Sequence, residues 1–263
     1  MMLSSTQNKK PSAKGKKWLA AGLAALFWLS VWQLLALSVN QSVVLSPPLE
    51  VFRTLGQLIG TGGFWLTLGA SFLRILTGFA AGVLLGMLLA ALSCLSRIAR
   101  ALIQPFMSVL KATPVASFII LLLFFSKNQY IPSLIVCIMV MPILWASCVK
   151  GIGETDRELL EMAQVFALSG KWKLKAIYLP SLSGYLLPAL LTAMGLAWKA
   201  GIAAEVLAAP PSSVGGMLYR AKIYLETPEM LAWTLCVILI SMGLERLLAA
   251  LVARLEGRGR RPA

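Results

Sequence analysis

The 263 residues are 59% hydrophobic and only 13% charged, with a mean hydropathy of +0.82, more apolar surface than a soluble domain of this length can hide from water. That excludes an ordinary soluble protein and points to one all-α, polytopic membrane domain, because apolar runs of spanning length recur along the chain. The formal charge of +14 does not indicate nucleic acid, since its cations fall on segments flanking the apolar runs and on a basic tail, as membrane topology alone would place them.

Six spans are predicted, near 18–39, 65–93, 101–125, 131–150, 182–208 and 230–253, within one transmembrane domain covering 18–253. Residues 1–17 form a basic tail ahead of the first span. No small-residue cleavage site follows a short apolar core there, and the next run is long enough to span, so it reads as a retained helix rather than a removed signal. In the second run Arg74 interrupts the apolar pattern, which predicts a first part lying along the interface with Arg74 reaching for headgroups. Gly78, Gly82 and Gly86, spaced by four, permit close packing against a helix the sequence does not identify. In the third run, Lys111 and Thr113-Pro114 predict a kinked, polar-facing turn. The segment 208–228 carries Pro210-Pro211 and Gly215-Gly216, then a stretch suited to a short amphipathic helix at a membrane surface. The tryptophans at 18, 32, 65, 145, 198 and 233 fall mostly near predicted span ends, where anchoring accounts for them. A second basic tail, 254–263, closes the chain.

Orientation follows from the cations. With the amino terminus cytoplasmic, that side holds Lys9, Lys10, Lys14, Lys16 and Lys17, then Arg97 and Arg100, then Lys150, Arg157, Lys171, Lys173 and Lys175, and last Arg246, Arg254, Arg258, Arg260 and Arg261. The other side holds only Arg53, Lys127, Arg220 and Lys222. Both termini are therefore expected in the cytoplasm.

The chain offers little chemistry of its own. It has no histidine, and Cys94, Cys137, Cys148 and Cys236 form no close pair, so packing is their expected role and neither a metal nor a cofactor is expected. No phosphate-binding loop is present: Gly15-Lys16-Lys17 and Gly170-Lys171-Trp172 lack the upstream glycine and the following hydroxyl. An enzyme is not expected, and any nucleotide energy has to enter through another chain.

The loop 151–180 is the most specific stretch. Thr155 and Glu158 have the spacing of a capping box, and Asp156, Glu158 and Glu161 suit the positive end of a helix beginning there. A helix of about three to four turns is predicted, with Glu154, Glu158, Glu161 and Gln164 on its polar stripe and Leu159, Ala163 and Phe166, beside Leu160 and Ala167, on its apolar one. Ser169-Gly170 ends it, and a second segment, 171–178, leads into Leu179-Pro180. Two readings stand on the residues alone: an interfacial hairpin lying on lipid, or a helical knob docking into a cytoplasmic partner.

The pattern is similar to the cytoplasmic-loop signature of permease subunits of binding-protein-dependent ABC importers: E-A-A, three residues, G, nine residues, then I-x-L-P. Glu161, Ala163, Ile177, Leu179 and Pro180 match it, whereas Met162 and Ala167 stand where alanine and glycine belong. The missing glycine suggests that the turn moves to Gly170. From about Leu45 onward, Ser46-Pro47-Pro48, Thr67 to Gly78, Lys111 to Pro114, and Trp198-Lys199 through Ala204-Glu205 resemble the nitrate, sulfonate and taurine branch of these permeases. The resemblance implies a type I ABC importer permease in the inner membrane, working by alternating access. It further implies two cytoplasmic ATP-binding subunits, a second permease subunit in a homodimer, and an extracytoplasmic solute-binding protein. On that resemblance Glu161 fixes the loop helix, Ala163 allows close approach to the ATPase, and Gly170 makes the bend.

Lys199 and Glu205 lie in the fifth predicted span, where ionisable groups are costly and face a bundle interior or water. Six residues apart, they do not stack on one helix face, so each needs another partner. Lys199, with Trp198 as an apolar wall, either meets an anionic solute or is a structural cation, the latter being favoured; Glu205 has a similar role in helix packing. A nitrate-, sulfonate- or taurine-like anion is the expected solute, with a pyrimidine vitamin precursor or another small organic solute as the alternative. Two rival functions are the membrane component of a vitamin importer and a membrane-embedded enzyme. The spacing to Ile177 and Pro180 disfavours the first, and the lack of clustered aspartates or histidines disfavours the second.

Overall fold

The computed structural model describes residues 13–39 and 41–259. Most of the predicted 1–17 tail and the end of the 254–263 tail lie outside the described residues. Within them the chain forms α1 (Ala13–Val39), α2 (Pro48–Ile59), α3 (Gly62–Leu95), α4 (Arg97–Ala112), α5 (Val115–Phe125), α6 (Ile131–Gly153), α7 (Arg157–Val165) and α8 (Gly170–Lys173). A π-turned segment, Leu174–Tyr178, then joins α8 to α9 (Leu179–Ala208), followed by α10 (Val214–Ile223) and α11 (Thr227–Gly259).

Five stretches are long and apolar enough to cross a membrane: Gly22–Val39, Gly62–Leu95, Ile131–Gly153, Gly170–Ala208 and Thr227–Arg254. The predicted 101–125 span is not one helix. It is α4 and α5, bent by 103° at Thr113-Pro114, because Pro114 has no N–H to donate and drives Thr113 to extended backbone (φ −77°, ψ 129°). The second span also differs from expectation, since α3 runs as one helix straight through Arg74.

The core is α3, α6 and α9. Gly78, Gly82 and Gly86 are the contact line between α3 and α6 of the same chain: Gly78 lies on the Ser133 backbone, a Cβ on Gly82 would come within 2.8 Å of Val140 Cβ, and one on Gly86 within 2.7 Å of the Met141 carbonyl. These contacts advance together along both helices, so α3 and α6 run parallel. The chain between them has to return from one end of the bundle to the other, and the broken pair α4–α5 makes that return. Here α4 lays Met107 and Leu110 on α6, and α5 lays Ile119 against Ile131, Ile135, Ala200 and Ala204. Gly201 lets α9 close on Ile75, whose Cγ1 would lie 2.6 Å from an added Cβ.

Trp145, Trp198 and Trp233 are buried, and Trp233 stacks on Phe64 with 4.9 Å between ring centres. These three rings therefore fill the core instead of anchoring span ends. α1 barely joins that core, touching it through Ala36 and a Trp32 Nε1–H bond to the Ser46 carbonyl (3.2 Å). Leu84, Leu88, Phe124 and Phe125 are exposed, a surface suited to acyl chains or another membrane subunit.

Candidate functional site

At one end of the bundle, α6 hands the chain to the loop carrying the Glu161 pattern. The cap of α7 is Asp156, whose carboxylate accepts the Glu158 N–H at 2.9 Å. The predicted Thr155–Glu158 capping box does not form, because Thr155 is buried and its hydroxyl turns back to the Gly151 carbonyl at 3.4 Å. At nine residues, α7 is also shorter than predicted.

Its end explains why. Ala167 takes the left-handed conformation (φ 49°), its N–H donates to the Gln164 carbonyl at 2.9 Å, and the Leu168 N–H donates to the Ala163 carbonyl at 2.9 Å. This pair of bonds is a Schellman motif. The turn thus stays at the position where the importer signature has glycine, and does not move to Gly170, which is the first residue of α8. Alanine pays about 1–2 kcal/mol for that conformation.

Past the turn, Ile177 is buried, and the Leu179 N–H reaches five residues back to the Leu174 carbonyl. The helix widens to π geometry just before Pro180, which has no N–H to contribute. Ala163 is only 1% exposed, so it faces its own chain, whereas Val165 is 82% and Phe166 70% exposed, with Met162 and Leu159 beside them. The outward apolar face is therefore Leu159, Met162, Val165 and Phe166, rotated from the predicted Leu159–Ala163–Phe166 stripe. Glu161 is exposed and makes no side-chain bond among the described residues.

The opposite end holds a polar cluster that sequence reasoning missed. Glu205, 0% exposed, accepts the Ser71 hydroxyl at 2.8 Å and the Gly215 N–H at 3.1 Å on one oxygen, and pairs with Arg74 at 3.3 Å through the other. The Arg74 guanidinium also donates to the carbonyls of Pro211 (2.6 Å) and Ser212 (3.1 Å), while the Ser71 oxygen accepts the Val214 N–H at 2.9 Å. Ala209 and Ser212 adopt left-handed backbone (φ 42° and 46°) to make this turn. At Gly215 any side chain would collide with Glu205 and the Val206 N, which is why glycine stands there. Arg74 does not reach for headgroups; it is the partner Glu205 needs. Arg74 and Glu205, each inside an apolar run, were visible in the sequence, and the cost of either one alone was the available signal.

Lys199 and Trp198 separate in space. Trp198 is buried in the core and donates its Nε1–H to the Val237 carbonyl at 3.1 Å, so it is no wall for Lys199. Lys199 is exposed and lines a groove of about 520 Å³ between α9 and α11, together with Thr192, Gly195 and Glu245. Glu205 is not part of that groove. Glu245 was not singled out from sequence, although a carboxylate inside an apolar run was the sign of it.

The family model described as "Binding-protein-dependent transport system inner membrane component" matches residues 82–258. The chain belongs to that family. It is the permease subunit of an ABC importer, a multi-pass membrane protein whose role implies ATP-binding and solute-binding partners. The permease is 25% identical over 226 residues to a putative aliphatic sulfonates transport permease of Bacillus subtilis (strain 168), covering 85% of this chain and 82% of the relative. It is 25% identical over 263 residues to the taurine transport system permease of Escherichia coli (strain K12), covering 94% and 95%. A bicarbonate transport system permease of Synechococcus elongatus is 29% identical over 210 residues, 74% of each chain. Among solved structures, an amino acid ABC transporter with histidines superposes with a TM-score of 0.58 at 16% identity, over 73% of the permease and 94% of that chain. The MetNI methionine ABC transporter gives 0.56 at 14% identity, over 72% and 93%. These two likenesses concern the fold alone.

Proposed function

We infer that this permease imports a small anionic solute, that it works as a homodimer fed by an extracytoplasmic binding protein, and that two cytoplasmic ATP-binding subunits drive it through the 154–178 loop. Both termini and that loop lie in the cytoplasm in this reading, in keeping with the distribution of lysine and arginine. The observation that carries it is the form of the loop: a short capped helix, closed by a Schellman turn at the motif's glycine position, presenting Val165, Phe166, Met162 and Leu159 outward.

Such a helix has two natural resting places, and its charges separate them. A helix lying on an anionic membrane surface carries lysines on its polar face. By contrast, α7 opens with Asp156 and Glu158 and carries Glu161, with Arg157 its one cation. That composition favours a protein cleft over headgroups. Glu161, Ala163, Ala167, Gly170, Ile177, Leu179 and Pro180 then serve in sequence as polar rim, inward packing, turn, entry to α8, inner anchor and start of α9.

Closure of the ATPase pair would move α7 as a lever and tilt α6 and α9, to which the loop is joined at both ends, so the cavity between two permeases opens to one side and then the other. The anionic solute class is supported by the relatives, which are named for sulfonates, taurine and bicarbonate.

Co-purification from mild detergent tests the coupling role. Val165→Lys places a cation in the last turn of α7, where the helix dipole welcomes it, so the helix stays folded while its apolar face is broken. The ATP-binding subunits are expected to accompany the native permease and to be lost from this variant. Retention of the ATPase at native stoichiometry by Val165→Lys would move the docking surface elsewhere.

A further inference from the structure

The loop between α6 and α9 changes character at Gly170. Ahead of it α7 carries Glu158 and Glu161 behind its Asp156 cap; past it Lys171, Lys173 and Lys175 alternate with Trp172 and Leu174, and no acid follows until Glu205. Trp172 is 62% exposed and Leu174 is exposed beside it. Lysines interleaved with an exposed tryptophan and leucine make up a segment that rests at headgroup level, a composition α7 lacks.

Against this segment lies a groove of about 360 Å³, walled by Cys94 and Leu95 at the end of α3, Ile152 at the end of α6, and Leu174, Tyr178 and Leu182 where the chain enters α9. Ligand sites begin at roughly 300 Å³. Ends of three spanning stretches meet here. At the far end of the bundle, the exposed Pro211-Ser212 backbone belongs at a membrane boundary, since irregular backbone is not left facing acyl chains. From Arg74, which binds that turn, α3 rises about 32 Å to Leu95, close to the roughly 30 Å of a bilayer's hydrocarbon core. The groove thus falls where acyl chains give way to headgroups.

The walls of the groove are apolar and open, with Leu95 84% exposed, but its rim is cationic. Arg97 and Arg100 follow Leu95 directly into α4, and Lys171, Lys173 and Lys175 surround Leu174; among the described residues none of the five forms an ion pair. No acid stands between Glu50 and Glu154 or between Glu161 and Glu205, so Glu154, two residues past Ile152, is the carboxylate closest along the chain to these walls. Five cations against one carboxylate around an apolar slot complement an acyl tail joined to a negative headgroup. A zwitterionic lipid supplies the tail but brings its own cation to the rim.

We propose that this groove is a binding site for an anionic glycerophospholipid, one acyl chain lying in the slot and the headgroup phosphate held by cations of the α4 and α8 walls. The lipid bridges the end of α3 and the entry to α9, so it ties the second half of the loop to the core while α7 stays free for a protein partner.

Cys94, exposed in the groove wall, reports occupancy. The full chain is placed in nanodiscs of phosphatidylcholine with or without phosphatidylglycerol, and modification of Cys94 by N-ethylmaleimide is followed by peptide mass spectrometry. Phosphatidylglycerol is expected to slow it by about fivefold or more. Lys171→Gln, Lys173→Gln and Lys175→Gln together are expected to abolish that protection in the same disc, where the charge of the bilayer is unchanged, and Arg220→Gln with Lys222→Gln at the far end to keep it. Equal rates in the two discs overturn the anionic site, and so does undiminished protection in the triple variant, which assigns the effect to membrane charge alone. Protection that appears only once ATP-binding subunits are added also overturns it and makes the groove a protein contact. Should the triple variant not insert, the native chain in detergent decides: lysophosphatidylglycerol is expected to protect Cys94 saturably and lysophosphatidylcholine not, and protection by both or by neither overturns the site. Neither solute nor nucleotide enters the lipid comparisons, so their failure leaves the importer reading untouched.

Discussion

The two ends of α9 are built in opposite ways. At the Glu205 end a buried carboxylate, a guanidinium, a serine hydroxyl and four backbone groups close on one another, joining α3, α9 and the 209–215 turn. At the Leu179 end the loop carries large apolar side chains into the open, with Val165 and Phe166 mostly uncovered. The first end is finished within the chain; the second leaves its large apolar side chains uncovered. The lever motion proposed above would use both, a braced end that holds three elements together and an open end for the ATP-binding partner to grip.

Breaking the brace has the largest expected effect. Glu205→Leu leaves Arg74 without its carboxylate and strands the Ser71 hydroxyl and Gly215 N–H, which should cost about 3–5 kcal/mol and lower the detergent melting temperature accordingly. Arg74→Met in the same chain removes the uncompensated charge, so the double variant should recover much of the loss. A double variant no more stable than Glu205→Leu alone would mean that the pair is not what holds the turn. Gly215→Ala attacks the same end by volume. Its Cβ falls on Glu205 and the Val206 N, and overpacking of this kind costs about 1–3 kcal/mol, again read as a melting shift. An unshifted melt would show that the 209–215 turn can slide.

The contrast also accounts for what the sequence disclosed. The loop end was legible because its information is local: Glu161 to Pro180 is one continuous pattern, although the cap, the length of α7, the site of its turn and the rotation of its apolar face were misread. Those errors share a cause, since Thr155 spends its hydroxyl on α6 and Ala167 accepts a conformation its type disfavours. The brace was illegible because Ser71 and Arg74 are separated from Glu205 and Val214 by well over a hundred residues, and no periodicity connects them. The helices themselves followed from apolar run length, and the partner of the Gly78–Gly82–Gly86 line did not, because small-residue spacing states that a helix packs closely without naming which one. The broken third span lies between these cases, where Pro114 announced a kink but not a bend of 103°.

At the open end, stability and partner binding should come apart. Val165→Lys changes an exposed position whose substitution is worth within about 0.5 kcal/mol, so the melting curve of the isolated permease should hardly move while ATPase affinity falls. A fall in both together would mean that Val165 packs within the permease, and the asymmetry between the two ends would be smaller than the exposures suggest.

The smallest expected effect is the most specific to the turn. Ala167 holds a left-handed conformation that glycine adopts without a Cβ penalty. Ala167→Gly should therefore relieve about 1 kcal/mol, less the greater entropy glycine loses on folding, and bring the chain back to the signature's own residue. Because α7 is closed by only two turn bonds to Gln164 and Ala163, the gain should be local. Slower hydrogen exchange at Ala167 and Leu168 is expected, with little change in global melting. Val at the same position, β-branched and poorly suited to positive φ, should do the reverse and loosen the ATPase. If Gly and Val protect these amides equally, the backbone there is not held in the left-handed region, and the Schellman closure is not what sets the angle between α7 and α8.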